Sequence, residues 1–319
     1  MVGRSMEFPI DTVSQICVIP RGSQIPFGTA KYGFIGINAY KIADAFVEGF
    51  NEKGLSFDGL MFTGAVYQPV LAGKSVPVDG FCSWALGNFA TVDEVKAALQ
   101  TVHIVASEVK KIKELGMHVA FHDAAGKNLV VEFIGGQIKV YDNPLGVMTN
   151  RPEFDWQMNN LRNYVNLDSH DKDQKMVNGV KVEATGVGSG MLGLPGDWTP
   201  PSRFVRVAMC LDAALQPKDA DGAVVLTNHI LNVVDIPKGV IKEGTPIPFV
   251  EMYGFAQWAV MKDLTNQVLY FKTYDNPAWK SIDLKKFDLS AGAPRKMIEM
   301  DDKNMTVIDV SGQLKGAAK

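Results

Sequence analysis

Hydrophobic and polar residues alternate in short runs along the first part of the chain, which is typical of β-strands. The pattern predicts strands at Gln15–Ile19, Tyr32–Ile37, Phe46–Phe50 and Leu55–Phe62. Turn-forming residues separate these runs, beginning with Pro20 after the first of them. Strands therefore dominate the predicted structure of the N-terminal region.

Apolar residues then change to helical spacing. Phe81–Phe89 is predicted to be one helix, and a second begins at Thr91, which together with Glu94 has the sequence of a capping box. Apolar side chains continue at three- and four-residue intervals as far as Val102. This spacing predicts a helix from Thr91 to Val102.

The remaining elements alternate in type. Five further strands are predicted, at His118–His122, Leu129–Phe133, Ile138–Tyr141, Ala256–Met261 and Val268–Tyr274. Two further helices are predicted, at 203–215 and 228–234. The order of strands, helices, strands, helices and strands, with no Pro/Gly/Ser-rich linker, predicts one α+β domain over residues 1–319. Helices layered on stacked antiparallel sheets would satisfy this order.

Composition and charge exclude several classes of protein. The 319 residues are 46% hydrophobic and 21% charged, which is enough to bury a substantial core. The net charge is −3, and the only dense basic run, at 110–114, is short, mixed and predicted to be the solvated face of a helix. We therefore expect no nucleic-acid partner. No apolar run approaches the ~20 residues that cross a bilayer, and no signal peptide is visible, so the sequence predicts no membrane contact and no particular cellular location.

The cysteines and histidines do not form a metal-binding pattern. Cys17, Cys82 and Cys210 are far apart and odd in number, which argues against a disulfide framework and a metal site. Each lies among apolar residues and is predicted to be a small buried side chain. His118 and His122 are spaced as metal ligands on a helix would be, but they fall on a predicted strand. No cofactor is predicted.

Three polar islands interrupt the hydrophobic pattern, at Gly3–Phe8, Gly146–Trp156 and Gly186–Phe204. The third is glycine-rich but lacks the Gly-Lys-Ser/Thr ending of a phosphate-binding loop, so we interpret it as irregular backbone packed near a site. Together the islands resemble the linear-amide C–N hydrolases of the choloylglycine hydrolase and penicillin V acylase family. The resemblance extends from Gly3 to about Asp283.

The resemblance implies a fold and a mechanism. The fold would be the four-layer αββα arrangement of N-terminal-nucleophile hydrolases, with two stacked, mainly antiparallel sheets. In this family the nucleophile is an N-terminal cysteine, one short strand and a turn before the first island. Because that segment is not within the chain, we expect the first strand of the sheet to be truncated and the strand next to it to lack a partner. Met1 would then be an internal methionine of a longer natural chain. The alternative is a catalytically inactive protein that binds acyl ligands in the same pocket.

The first island supplies two candidate catalytic residues. An arginine at the Arg4 position lies beside the catalytic sulfur in the family, where a guanidinium favours the thiolate. An acid at the Glu7 position orients the amine of the cysteine, although the family most often has Asp there. In an extended segment Arg4 and Met6 point to one side and Glu7 to the other, unless a bend intervenes. The alternative interpretation is a surface Arg and Glu at a strand end.

The other islands supply Asn150 and Arg203. Asparagine before Xaa-Pro is ordinarily a turn former, but the resemblance implies that Asn150 holds the cysteine and the tetrahedral intermediate. Arg203 lies at a predicted helix N-terminus, where cations are disfavoured, so we expect a functional role. In the family the matching arginine faces the nucleophile. The alternative for Arg203 is an ion pair with Asp197.

Two methionines bear on the substrate. Met6 matches a family position that lines the apolar acyl pocket, and core packing is the alternative role. Met61 occupies a position where the family usually has the Asn or Tyr of an oxyanion hole, and a thioether cannot donate a hydrogen bond. The family implies a homotetramer, a bacterial source and three candidate substrates: conjugated bile acids, phenoxyacetyl penicillins and N-acyl homoserine lactones. The stretches 235–240 and 274–276 favour the penicillin V acylase branch.

Overall fold

The computed structural model describes residues 1–109, 115–243 and 251–314, so the predicted helical face at 110–114 lies outside the described residues. The strands are β1 (Val2–Phe8), β2 (Gln15–Ile19), β3 (Gln24–Ile25), β4 (Gly28–Thr29), β5 (Phe34–Asn38), β6 (Phe46–Asn51), β7 (Ser56–Met61), β8 (Ser75–Pro77), β9 (His103–Val105), β10 (Met117–His122), β11 (Asn128–Ile134), β12 (Gln137–Asp142), β13 (Gln174–Val177), β14 (Val180–Glu183), β15 (Ile241–Glu243), β16 (Met252–Asp263), β17 (Val268–Thr273), β18 (Lys280–Asp283) and β19 (Lys296–Glu299). The α-helices are α1 (Phe81–Asn88), α2 (Val92–Ala98), α3 (Phe154–Asn160), α4 (Pro200–Ala213) and α5 (Ala220–Asn232).

Two antiparallel sheets form the centre of the fold. The larger sheet has the strand order β12-β11-β10-β7-β6-β5-β2-β19. The smaller sheet has the order β1-β16-β17-β18, with β15 also paired to β16. Within the described part of the chain, β1 has β16 as its one strand partner, so its other edge is free.

Alternation along β2 shows how the larger sheet is covered on both faces. Ile16 and Val18 pack with residues of the smaller sheet in the core between the two sheets. Cys17 and Ile19 point the other way, into the core beneath α1 and α2. This period of two is expected for a strand that is buried on both sides.

The smaller sheet is covered on its outer face by α5. Gly3 of β1 lies so close to this helix that an added Cβ would come within 2.6 Å of Thr227 and 3.3 Å of Leu231. Leu231 also packs against Ala259 and Met261 of β16. Helices, two stacked sheets and helices are the αββα order, and the predicted α+β class and fold are confirmed.

Element boundaries differ most from the sequence prediction at two helices. The helix predicted over 228–234 is α5, which begins at Ala220, because Asp219 caps its N-terminus by accepting the N–H of Gly222 at 2.8 Å. Helix α2 ends at Ala98 rather than at Val102. The predicted cap at Thr91 is present, but the Glu94 carboxylate accepts the N–H of Ala90 instead of closing the box on Thr91.

Candidate active site

A β-bulge in β16 lies opposite the first island. Arg4 pairs with Val260 and Met6 with Trp258, but the register shifts after Met6, so that Glu7 lies opposite Ala256. Gln257 of β16 is the extra residue of this bulge. Arg4, Met6 and Glu7 all line one small cavity.

Arg4 is buried and held on several sides. Its Nη1 donates to Glu48 Oε1 at 2.8 Å, and its Nη2 donates to the carbonyl of Gly59 at 2.8 Å. The guanidinium also lies over the ring of Trp258, 5.2 Å from its centroid. Its Nε is buried without a hydrogen-bond partner among the described residues. The interpretation of Arg4 as a surface residue is wrong.

Asn150 lies in the loop between β12 and α3, and its amide bonds to distant parts of the chain. Nδ2 donates to the carbonyl of Met61 at the end of β7 at 2.8 Å, and Oδ1 accepts from Arg203 at 2.8 Å. The loop itself is tied to the start of α4 by a bond from Thr149 Oγ1 to the carbonyl of Pro200 at 3.0 Å. No local turn bond of the Asn150 side chain is seen in the described structure, so the turn-former interpretation is wrong.

Arg203 in the first turn of α4 connects the other two islands. Its Nη1 donates to Glu7 Oε2 at 3.2 Å and its Nη2 to Asn150 Oδ1 at 2.8 Å. Its Nε donates to the carbonyl of Trp198 at 3.1 Å. The side chain thus leaves the helix and points toward β1.

Asp197 is not the partner of Arg203. It accepts from Ser202 Oγ at 2.6 Å and from both the hydroxyl and the backbone N–H of Thr199. These bonds, that from Ser202 first, lower the pKa of Asp197 to about 2. The Asp197 carboxylate therefore stabilises the N-terminus of α4, and Arg203 remains available to bind Glu7 and Asn150.

The sequence-predicted residues meet beside two cavities. One cavity of about 440 Å³ adjoins the free edge of β1, and its lining includes Arg4, Glu7 and Arg203. A smaller one of about 70 Å³ is lined by Arg4, Glu7 and Asn150 together with apolar side chains that include Met6, Met61, Val47, Leu115 and Met117. Glu7 Oε1 is buried and has no partner among the described residues, whereas Oε2 binds Arg203. We refer to Glu7, Asn150 and Arg203 as the polar array.

The two methionines both line the smaller cavity. Met6 is half-buried, packs against the core between the sheets, and its Sδ is 3.3 Å from Arg4 Nη2. Met61 is 39% exposed, and its backbone carbonyl rather than its side chain binds Asn150. Both methionines line the cavity, and the acyl-pocket role expected for Met6 stays a prediction.

Sequence reasoning missed three charged residues behind Arg4. Glu48, Asp58 and Lys262 are almost completely buried between the sheets. Lys262 binds the Asp58 carboxylate and lies 3.4 Å from Glu48. The sequence signal that could have identified these residues is a charged side chain inside an apolar strand pattern, as at Glu48 between Phe46 and Phe50.

A second buried pair supports the loop that carries Asn150. His118 Nδ1 lies 3.1 Å from Glu132 Oε1, and the same oxygen accepts the N–H of Phe154 at the start of α3 at 3.0 Å. Burial lowers the pKa of His118 against the influence of Glu132. These side chains hold the loop but do not line either cavity.

The described cysteines are poorly suited to act as nucleophiles. Burial raises the pKa of Cys17 to about 11, raises that of Cys82 well above its ordinary value, and raises that of Cys210. The reactive form of cysteine is the thiolate, which a raised pKa disfavours. None of the three lines either cavity.

Two classes of site are not seen in the described structure. No group of three or more His, Cys, Asp or Glu side chains is arranged to hold a metal ion in the ranges 1–109, 115–243 and 251–314. In the same ranges no helix is long and apolar enough to cross a membrane.

Solved structures share this architecture and define the class as an N-terminal-nucleophile hydrolase. A cysteine-to-alanine mutant of the conjugated bile acid hydrolase from Clostridium perfringens matches with a TM-score of 0.87 and 32% identity, over 97% of this chain and 95% of that chain. The penicillin V acylase from Agrobacterium tumefaciens shares the fold, with a TM-score of 0.75 and 23% identity over 93% of this chain and 86% of that chain.

Sequence comparison specifies the family. A bile salt hydrolase/transferase of Clostridium perfringens is 33% identical over 91% of this chain and 90% of its own length. The family model of linear amide C–N hydrolases, choloylglycine hydrolase family, matches residues 1–307. The chain belongs to this family and is an amidohydrolase of linear amides, which confirms the predicted resemblance.

Proposed function

We propose that the protein cleaves the amide bond between an apolar acyl group and a polar amine by a cysteine thioester mechanism. The nucleophile would be an N-terminal cysteine on a strand alongside the free edge of β1. The observation that carries the proposal is the polar array, which adjoins Arg4, the free edge of β1 and an apolar cavity at once.

The reaction needs two bond-breaking steps. The thiolate attacks the carbonyl carbon, the C–N bond breaks, and the amine leaves with a proton from the cysteine's own ammonium group. Water then attacks the thioester carbon with the amine as general base, which releases the carboxylic acid and regenerates the thiol. An α-amine has a pKa near 8 and can carry this proton if it is held close to the sulfur.

The contacts of the array suit these roles. Arg4 is a fixed cation that would favour the thiolate. Glu7 is anchored to Arg203 by one oxygen, and the other is free to accept from the α-amine. Asn150 is fixed by Met61 and Arg203 and would stabilise the tetrahedral intermediate, where one preorganised donor is worth about 3–4 kcal/mol.

The smaller cavity favours an apolar acyl group. Its wall is mostly apolar, and it meets the array at Arg4, Glu7 and Asn150. Relatives are named bile salt hydrolase/transferase and, in Pectobacterium atrosepticum at 25% identity over the whole of this chain and 86% of that protein, penicillin V acylase. Bile salts, penicillin V and related N-acyl amides are therefore the proposed substrates.

The decisive experiment compares the 319-residue chain with a version extended at its N-terminus by one strand that begins with cysteine, here called the cysteine-extended chain. Glycocholate and penicillin V are the test amides. We expect no turnover by the 319-residue chain and turnover of one amide by the cysteine-extended chain. The same extension beginning with alanine is the control and should be inactive.

Two outcomes would contradict the mechanism. Turnover by the shorter chain that survives Cys17→Ala would show that no added cysteine is needed. Turnover by the alanine-headed extension would exclude the thioester. Tight binding of penicillin V by the cysteine-extended chain without any turnover would instead support the alternative, an acyl-ligand binder on the same fold.

Assembly into a homotetramer is part of the proposal. The β13–β14 hairpin is exposed along its whole length and presents Met176, Val177, Val180 and Val182 to solvent. Apolar side chains exposed side by side are typical of an interface. Light scattering should give four times the mass of 34.8 kDa, and Val180→Glu should lower the mass. A monomer at micromolar concentration would refute this part.

A further inference from the structure

Two cations of the smaller sheet meet two carboxylates of the larger sheet in the core. Arg4 and Lys262 belong to β1 and β16, and Glu48 and Asp58 belong to β6 and β7. Their exposed fractions are 7% and 0% for the cations and 0% and 3% for the acids. We call these residues the four-charge cluster.

Strand register explains why the acids need a cation from the other sheet. Glu48 and Asp58 are direct cross-strand neighbours, and like charges at such positions repel. Lys262 reaches across from β16 and contacts both, at 3.4 Å from Glu48 Oε2 and by a hydrogen bond to Asp58 Oδ1. Ser56 Oγ donates to the other oxygen of Asp58 at 3.1 Å. The two acids are therefore held together by Lys262.

Glu48 is shared between the two cations. Its Oε1 accepts from Arg4 at 2.8 Å, while its Oε2 faces Lys262. If Glu48 belonged to Arg4 alone, the carboxylate would cancel most of the positive field of the guanidinium in the adjoining cavities. A second cation on the same carboxylate offsets that loss, because charges in a dry core act on one another over several ångströms.

We propose that Lys262 is a positioning residue which, through Glu48, sustains the positive field of Arg4 at the nucleophile. This inference rests on the proposed function, since the field acts on the cysteine thiol. Lys262 does not line either cavity and would touch neither the substrate nor the sulfur. The role of Lys262 is to maintain the positive electrostatic field that acts on the thiol.

The test is the pKa of the N-terminal thiol in the cysteine-extended chain. It is obtained from the rate of alkylation by iodoacetamide against pH, followed by mass spectrometry of the N-terminal peptide. Lys262→Met removes a cation and should raise the thiol pKa by about one pH unit, whereas Glu48→Gln removes an anion and should lower it by a similar amount. If Lys262 and Glu48 had only a structural role, both substitutions would disturb the site, and the two shifts of the thiol pKa would not have opposite signs.

A paired variant controls for misfolding. Lys262→Met alone leaves Asp58 without its cation and can fail to fold. Lys262→Met with Asp58→Asn removes one charge of each sign, so the thiol pKa should return close to the parent value. The other charged groups that line the large cavity near Arg4, which include Glu7, Arg203, His122 and Asp123, stay unchanged in every variant.

The outcomes separate this inference from the proposed function. Opposite shifts in the single variants support the role of Lys262 whether or not any amide is turned over. Absence of turnover by the parent cysteine-extended chain refutes the proposed function on its own. Equal thiol pKa values in Lys262→Met and Glu48→Gln, or shifts of the same sign, would overturn the inference about Lys262.

Discussion

Two groups of polar side chains meet β1, and they differ in what surrounds them. The four-charge cluster is closed, since each of its charges faces an opposite charge of the cluster in the core between the sheets, although Arg4 and Asp58 also line the large cavity. The polar array is open, because one oxygen of Glu7, which lines the same cavity, has no partner among the described residues. The four-charge cluster fixes the geometry and the charge of the core next to β1. The polar array can still accept a hydrogen bond from a ligand.

The largest expected effect is on the stability of the closed group. Asp58→Asn keeps the shape of the side chain but leaves Lys262 short of a counter-charge in the core. We expect a loss of about 3 kcal/mol in the free energy of unfolding, because removal of one partner strands a buried charge. Adding Lys262→Met should recover most of this loss. Urea denaturation at constant m-value measures both variants.

A double variant no more stable than Asp58→Asn alone would show that the two charges do not act as a pair. Lys262 would then be stabilised by contacts other than its ion pair with Asp58, and the four-charge cluster would not be a closed group.

The open group should affect catalysis more than stability. Arg203→Lys in the cysteine-extended chain keeps the charge but cannot bind Glu7, Asn150 and the Trp198 carbonyl together, because an ammonium lacks the planar fork of a guanidinium. We expect kcat/KM for the preferred amide to fall about 100-fold, with a loss of about 1 kcal/mol in the free energy of unfolding.

Arg206 on the same helix provides a matched control. Its guanidinium donates to the backbone carbonyls of Val233, Pro195 and Asp197. Arg206→Lys should cost stability to a similar degree and leave kcat/KM unchanged. If both variants lost activity equally, Arg203 would be a structural arginine like Arg206.

Sequence reasoning reached the open group but only Arg4 of the closed one. Asn150 and Arg203 lie in polar islands that carry the family resemblance, and that resemblance implied the αββα fold, whereas the order of the elements alone predicted an α+β domain. Glu48 and Asp58 lie on consecutive strands, where each looks like a single charge in an apolar run, and Lys262 lies more than 200 residues further along the chain. Their pairing depends on how the two sheets stack, which no local pattern encodes.

The bulge in β16 opposite Glu7 was unpredictable for a related reason. A register shift between two strands is set by how they pair, and β1 and β16 are some 250 residues apart in the chain. The register opposite one candidate catalytic residue therefore depends on a tertiary irregularity.

Acid should weaken the fold through buried histidines next to both groups. Burial lowers the pKa of His122, beside Asp58, and of His118, below the Asn150 loop. Below the unfolded-state pKa of about 6.5 the unfolded chain takes up protons that the folded chain does not, so stability falls as the pH drops. The slope can reach about 1.4 kcal/mol per pH unit for each histidine.

A substitution at His118 tests whether this buried imidazole causes part of the acid sensitivity. His118→Gln should flatten the fall in unfolding free energy between pH 6.5 and 5. An unchanged slope in His118→Gln would show that this imidazole does not contribute to the acid sensitivity.

The smallest effect on stability is expected at Met61, where the open group meets the smaller cavity. The side chain is 39% exposed and only its backbone carbonyl binds Asn150, so Met61→Asn should change the free energy of unfolding by no more than about 0.5 kcal/mol. The new amide adds a hydrogen-bond donor beside Asn150, which a thioether cannot supply. In the cysteine-extended chain we expect the ratio of kcat/KM for glycocholate to that for penicillin V to change, while Met176→Asn on the exposed hairpin leaves it constant. An unchanged ratio in Met61→Asn would remove this position from the determinants of substrate choice.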